Sequence, residues 1–156
     1  MFLQVRESVL KLLCFFRYPL LVLLLALSCN TEDSNDLILN PLTMCVDHDE
    51  SLAMHIHAEF IPILEHQPQL LPENIGITPD CMRPLHTHKA DFRIHIESLE
   101  SAAWTLGDFL GIWGKDNPYL GLGVYGVSLN NNKYEGDYHD IILKDGTSVI
   151  VDFAYR

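Results

Sequence analysis

The chain has 156 residues, 48% hydrophobic and 20% charged, which fits one compact domain. Ten Lys and Arg against 21 Asp and Glu leave a formal net charge of −11, and a surface that acidic repels phosphate backbones, which excludes a nucleic-acid binder. It suits small cations or basic partners, and eight histidines are many for this length, seven of them lying between His48 and His95.

Residues 1–17 form a basic leader, and residues 18–28 (YPLLVLLLALS) are an apolar run ending in small residues before Cys29. The run has the length of a signal-peptide h-region and is short for a membrane span of about 20 residues. Ala26-Leu27-Ser28-Cys29 resembles a bacterial lipobox, whose cysteine takes a lipid and becomes the mature N-terminus. Residues 1–28 therefore read as a lipoprotein-type signal peptide, with an uncleaved N-terminal anchor as the alternative. Both place the remainder outside the cytoplasm, at the membrane in the periplasm or on the cell surface. Residues 29–44 are an acidic tether, and residues 45–156 the folded domain. With Cys14 in the leader and Cys29 lipidated, Cys45 and Cys81 remain; in an oxidising compartment two thiols most simply form one disulfide. The alternative keeps Cys81 free as a metal thiolate.

Residues 54–64 (MHIHAEFIPIL) predict a strand with Ile56, Ala58, Phe60 and Leu64 on one side and His55, His57 and Glu59 on the other. Pro62 has no N–H to donate, which puts this strand at a sheet edge or a bulge. Residues 65–69 read as a turn and residues 70–77 as a second extended piece. Residues 92–97 (FRIHIE) alternate again, Phe92, Ile94 and Ile96 inward and Arg93, His95 and Glu97 outward. Thr105, with Asp108 three residues on, starts a helix carrying Leu106, Phe109, Leu110 and Trp113 on one face, and Gly114 stops it. In the tail, residues 124–129 meet a turn at Asn130-Asn131-Asn132, and residues 141–143 and 149–153 flank Asp145-Gly146, a hairpin signal. In residues 120–127 (LGLGVYGV) the apolar side chains read as core, with Tyr125 the candidate for exposure. The order gives an α+β fold: a mixed sheet covered by one main helix, behind an N-terminal signal or anchor segment.

Together, His55-x-His57, Pro72-Glu73-Asn74-Ile75-Gly76-Ile77, Cys81-x-x-x-Leu85-His86-Thr87-His88, Ile94-His95-Ile96-Glu97 and Thr105-Leu106-Gly107-Asp108-Phe109 resemble a family of secreted or membrane-anchored prokaryotic domains of uncharacterised role. The resemblance covers the chain from about Cys45 onward and supplies no enzyme activity. Two positions depart from the pattern: Lys89 stands where an acidic residue usually follows the second histidine, and Phe92 stands near a usual glycine. The Leu143-Lys144-Asp145-Gly146 turn makes the C-terminal part similar to the end of a β-grasp domain, which implies a β-grasp-like sheet.

On a strand, residues i and i+2 share a face about 6.5–7 Å apart, so His55 with His57, and His86 with His88 if extended, can converge on one ion. His95 stands on the outward side of a later strand, where Glu97 can orient an imidazole. The candidate ligands are thus His55, His57, His86, His88 and His95, the alternative being a structural cluster held by hydrogen bonds. Imidazole suits copper, zinc and nickel. Met82 and a reduced Cys81 would favour copper, as does an acidic extracytoplasmic lipoprotein built for capture or delivery; zinc is the alternative. A blue-copper centre lacks a methionine placed after the histidine. The rival enzyme is a zinc hydrolase or lyase with His-x-His plus a third histidine, as in α-type carbonic anhydrases, and Glu59 or Glu97 as base. A cupin-type dioxygenase lacks its glutamate after either pair. A third possibility is a β-grasp interaction module without metal. The expected partners are a transition-metal ion and, through the N-terminal lipid, the membrane.

Overall fold

The computed structural model describes residues 39–47 and 51–156. The leader, Cys29 and most of the tether lie outside the described residues. Among the described residues, no helix is long and apolar enough to cross a membrane.

Among the described residues the strands follow in chain order as β1 (Met54–Leu64), β2 (Gln67–Pro68), β3 (Ile77–Thr78), β4 (Cys81–Met82), β5 (Leu85–His86), β6 (Arg93–Ser98), β7 (Gly123–Leu129), β8 (Asn132–Tyr134) and β9 (Ser148–Ala154), with an α-helix, α1 (Leu106–Trp113), between β6 and β7. Seven strands form a mixed sheet in the order β5-β6-β1-β9-β7-β8, with β2 folded back on β1; β3 and β4 pair separately. β1 runs parallel to β9 and antiparallel to β6, so the sheet has a parallel centre and antiparallel flanks. This is the α+β architecture anticipated above, a mixed sheet with one main helix among the described residues.

One face of the sheet is hydrocarbon. Ala58 and Phe60 of β1, Ile94 and Ile96 of β6, Leu85 of β5 and Val149 and Val151 of β9 are buried against Leu106, Phe109, Leu110 and Trp113 of α1. The Phe60 and Phe109 rings meet edge to face, centroids 6.4 Å apart. Each buried Val, Leu, Ile or Phe of this set contributes about 1.5–3 kcal/mol. The helix begins as its sequence dictates: the Asp108 backbone N–H donates to Thr105 Oγ1 at 3.1 Å, and the Asp108 carboxylate accepts from the Thr105 backbone N–H at 2.8 Å. It stops at Gly114, whose φ of 62° other residues resist. Asn130 and Asn131, both at positive φ, make the two-residue turn between β7 and β8.

Four expectations need correction. β1 is central rather than an edge, and Pro62 is tolerated there for a geometric reason. The Pro62 carbonyl accepts from Gln69, on the side away from β9, so the missing N–H falls where β6 has already ended and costs no ladder bond to β9. Residues 70–76 are mostly turn, with Asn74 and Gly76 at positive φ, and only Ile77–Thr78 is strand. Residues 141–143 do not hairpin with β9: Ile142 bridges Thr105 and the Leu143 N–H donates to the Trp104 carbonyl, so the segment anchors the helix start. Within residues 120–127, Leu120, Val124 and Tyr125 are exposed, Tyr125 by 81%, so much of this stretch lies outside the core.

Cys45 and Cys81 are joined by a disulfide, with Cα atoms 5.2 Å apart. The bond ties the segment ending at Val46, which bridges Met82, to the start of the β4–β5 run. Closing that loop stabilises the chain by about 3–4 kcal/mol on the chain-entropy model. It also fits an oxidising compartment.

Candidate metal centre

The opposite face of the same strands carries imidazoles, and register places them. β1 pairs with β6 so that His57 stands directly opposite His95 and His55 opposite Glu97. β5 pairs with the far edge of β6 so that His86 stands opposite His95. His57, His95 and His86 therefore form a row across three neighbouring strands, where side chains directly opposite one another lie about 4.5–5.5 Å apart at Cβ. The corresponding row on the other face is Ile56, Ile96 and Leu85. Five histidines converge: ring centroids lie 4.6 Å apart for His57–His95 and His88–His95, 4.7 Å for His86–His88, 5.0 Å for His55–His57 and 5.6 Å for His86–His95.

Two overlapping donor sets result. His86, His88, His95 and Glu97 offer ligand atoms all within 4.8 Å of one another, as do His55, His57 and His95. Each set can hold a metal ion, and His95 belongs to both.

In the first set, His86 and Glu97 are buried while His88 is exposed. The His86 ring is fixed by Arg83: its Nδ1 lies 2.9 Å from the Arg83 carbonyl, which only accepts, so Nδ1 carries the proton and Nε2 presents its lone pair. That Nε2 lies 3.1 Å from Nε2 of His88. Two nitrogens on one ion at 2.0–2.1 Å stand about 2.9 Å apart at a right angle and about 3.4 Å apart at the tetrahedral angle. The observed spacing falls between these values.

In the second set, no ligand is fully buried, and the His55 side chain is 52% exposed. Its Nε2 lies 3.4 Å from Glu97 Oε1, so the carboxylate faces both sets. The backbone of His57 is held at both ends by the 145–146 turn: its N–H donates to the Asp145 carboxylate at 3.0 Å, and its carbonyl accepts from Gly146 at 2.8 Å. The turn read as a hairpin is thus a clamp on a site residue.

His95 sits between the sets. Burial, followed by the neighbouring His88, His57, Arg93 and His55, pulls its pKa from 6.5 to about 4. At neutral pH it is an uncharged imidazole with a lone pair to donate.

All five sequence candidates are thus brought together. Glu97 and His95 are not on a solvent face as expected: Glu97 is buried and His95 half-buried, with the rings of His57, His86 and His88 standing against His95. Glu97 accordingly belongs among the possible ligands. Cys81 does not, since its sulfur is committed to the disulfide. The sequence also gave no signal for Arg83, whose backbone carbonyl is the group that matters, or for Asp145, whose partner is 88 residues away. A groove of about 590 Å³ lined by Cys45, Asn74, Cys81, Met82 and His88 reaches the exposed edge of the first set.

No protein-family model, curated protein or solved structure matches the chain.

Proposed function

We propose that this chain is an extracytoplasmic copper-binding protein, tethered to the membrane by a lipid on Cys29, that captures or delivers the ion. The observation that carries the reading is the convergence of His55, His57, His86, His88 and His95 on one sheet face, with ligand atoms of each set within 4.8 Å. With Cys81 oxidised, the donors are nitrogen with one carboxylate. Nitrogen and oxygen donors suit Cu(II), which lies at the top of the divalent affinity order, and no soft sulfur is needed to favour it. The disulfide supports an oxidising location, and the net charge of −11 attracts cations.

Binding would displace protons from whichever imidazoles carry them, so the ion is held less tightly as pH falls. The test is metal analysis of the purified protein after exposure to copper and zinc, beside a His86→Ala/His88→Ala double variant. Bound copper in the native protein, with less copper held by the double variant, supports the reading; equal, near-zero metal in both ends it.

One observation favours a second reading. His55, His57 and His95 are an open triad on adjacent antiparallel strands, the arrangement that holds catalytic zinc with a position left for water. Hydration or esterase activity of the zinc-loaded protein, lost in His57→Ala, would favour this hydrolase or lyase.

A further inference from the structure

Five imidazoles are more than one ion can use in this arrangement. The ligand atoms of His55 and His57 group with His95 but not with His86 or His88, and those of His86 and His88 group with His95 but not with His55 or His57. An ion in either set leaves two imidazoles of the other set uncoordinated. His95 is flanked nearly symmetrically, with the His57 and His88 rings both 4.6 Å away and both close to perpendicular to it, at 85° and 78°.

The two ring nitrogens of a metal-bound histidine ordinarily divide their labour: one takes the ion and the other gives its proton to a carbonyl, a carboxylate or water. His86 follows this pattern, with Nδ1 on the Arg83 carbonyl and Nε2 facing the site. His95 does not. Its Nδ1 is buried and has no hydrogen-bond partner among the described residues. A buried polar atom left in that state is costly, and it points to a ligand that would satisfy it.

We propose that the cluster is a two-ion centre in which His95 bridges two copper ions, one held with His86, His88 and Glu97 and the other with His55 and His57. One ring nitrogen bonds each ion. As the second ion binds, the remaining ring proton of His95 leaves to solvent, so an imidazolate joins the two; no electron is transferred. The ions then stand about 6 Å apart, the sum of two metal–nitrogen bonds and the span of the ring. Each set keeps an exposed histidine, His88 in one and His55 in the other, so each ion has its own access to solvent.

This inference rests on the metal-binding reading but fails separately from it. The experiment is titration of the purified protein with Cu(II), followed by metal-to-protein ratio and by electron paramagnetic resonance at low temperature. Two ions per chain are expected, with a spin intensity well below two because the bridge couples them. His55→Ala/His57→Ala, at positions outside the core, is expected to bind one ion with its full spin intensity. His95→Gln, checked for folding by circular dichroism, is expected to lose the coupling in whatever copper it retains. A plateau at one ion overturns the bridge and leaves a mononuclear site, and two ions with two full spins in the native protein overturn it and leave two separate sites. No bound copper overturns the proposed function itself.

Discussion

β1 and β6 have two faces built on one backbone and one register, and the faces obey different rules. On one, Ala58, Phe60, Ile94 and Ile96 pack with α1 and gain stability from every carbon they hide. On the other, His55, His57, His95 and Glu97 stand at the same spacing, yet His95 Nδ1 is buried without a hydrogen-bond partner among the described residues and Glu97 is nearly sealed from water. The first face stabilises the fold and the second draws on that stability to hold groups that would each be better solvated elsewhere.

The comparison breaks most visibly at the hydrocarbon face. Phe109→Ala is expected to cost about 3–5 kcal/mol in denaturant unfolding. By contrast, His57→Gln and His88→Gln should change the metal-free stability by less than about 1 kcal/mol, as ordinary substitutions at partly or fully exposed positions do. Equal losses on the two faces would show that the histidines are structural. Next in size, Cys45→Ser/Cys81→Ser should cost about 3–4 kcal/mol, read as a lower unfolding midpoint than that of the native protein without reductant. Because the disulfide braces the chain leading into β5, that variant should also hold copper less tightly.

A smaller effect has the opposite sign. His95→Leu is expected to raise metal-free stability by about 1–3 kcal/mol, because it removes a buried nitrogen without a partner. pH sharpens this test. The His95 pKa is lowered to about 4 in the folded chain, so below the ordinary value of 6.5 the unfolded chain takes up the proton first. The native protein should therefore keep its full His95-linked stability above about pH 6.5 and lose it progressively as pH falls toward 4. The His95→Leu variant should lack that component, which parallel thermal melts would show. The smallest effect lies far from the site: Thr105→Ala removes the helix cap and should cost about 1 kcal/mol with copper binding unchanged.

Local rules made part of this legible in the sequence. Alternation with period two identified β1 and β6 and assigned Phe60, Ile94 and His57 to their faces, and Thr105 with Asp108 marked the helix start. What stayed hidden depends on distant partners. Nothing near Pro62 reveals that β9 pairs alongside it in parallel, and nothing near Asp145 and Gly146 reveals that they grip the backbone of His57. The three-strand row of His57, His95 and His86 needs two separate registers, which no local pattern encodes. The sequence could thus supply the imidazoles in pairs, while long-range pairing assembled the pairs around His95.

The central claim is that these imidazoles are metal ligands. X-ray absorption at the copper edge of the copper-loaded protein tests it most directly. The account predicts at least two imidazole ligands per copper, with nitrogen at about 2.0 Å and no sulfur neighbour. A spectrum without imidazole scattering, or one dominated by sulfur at about 2.3 Å, would contradict it.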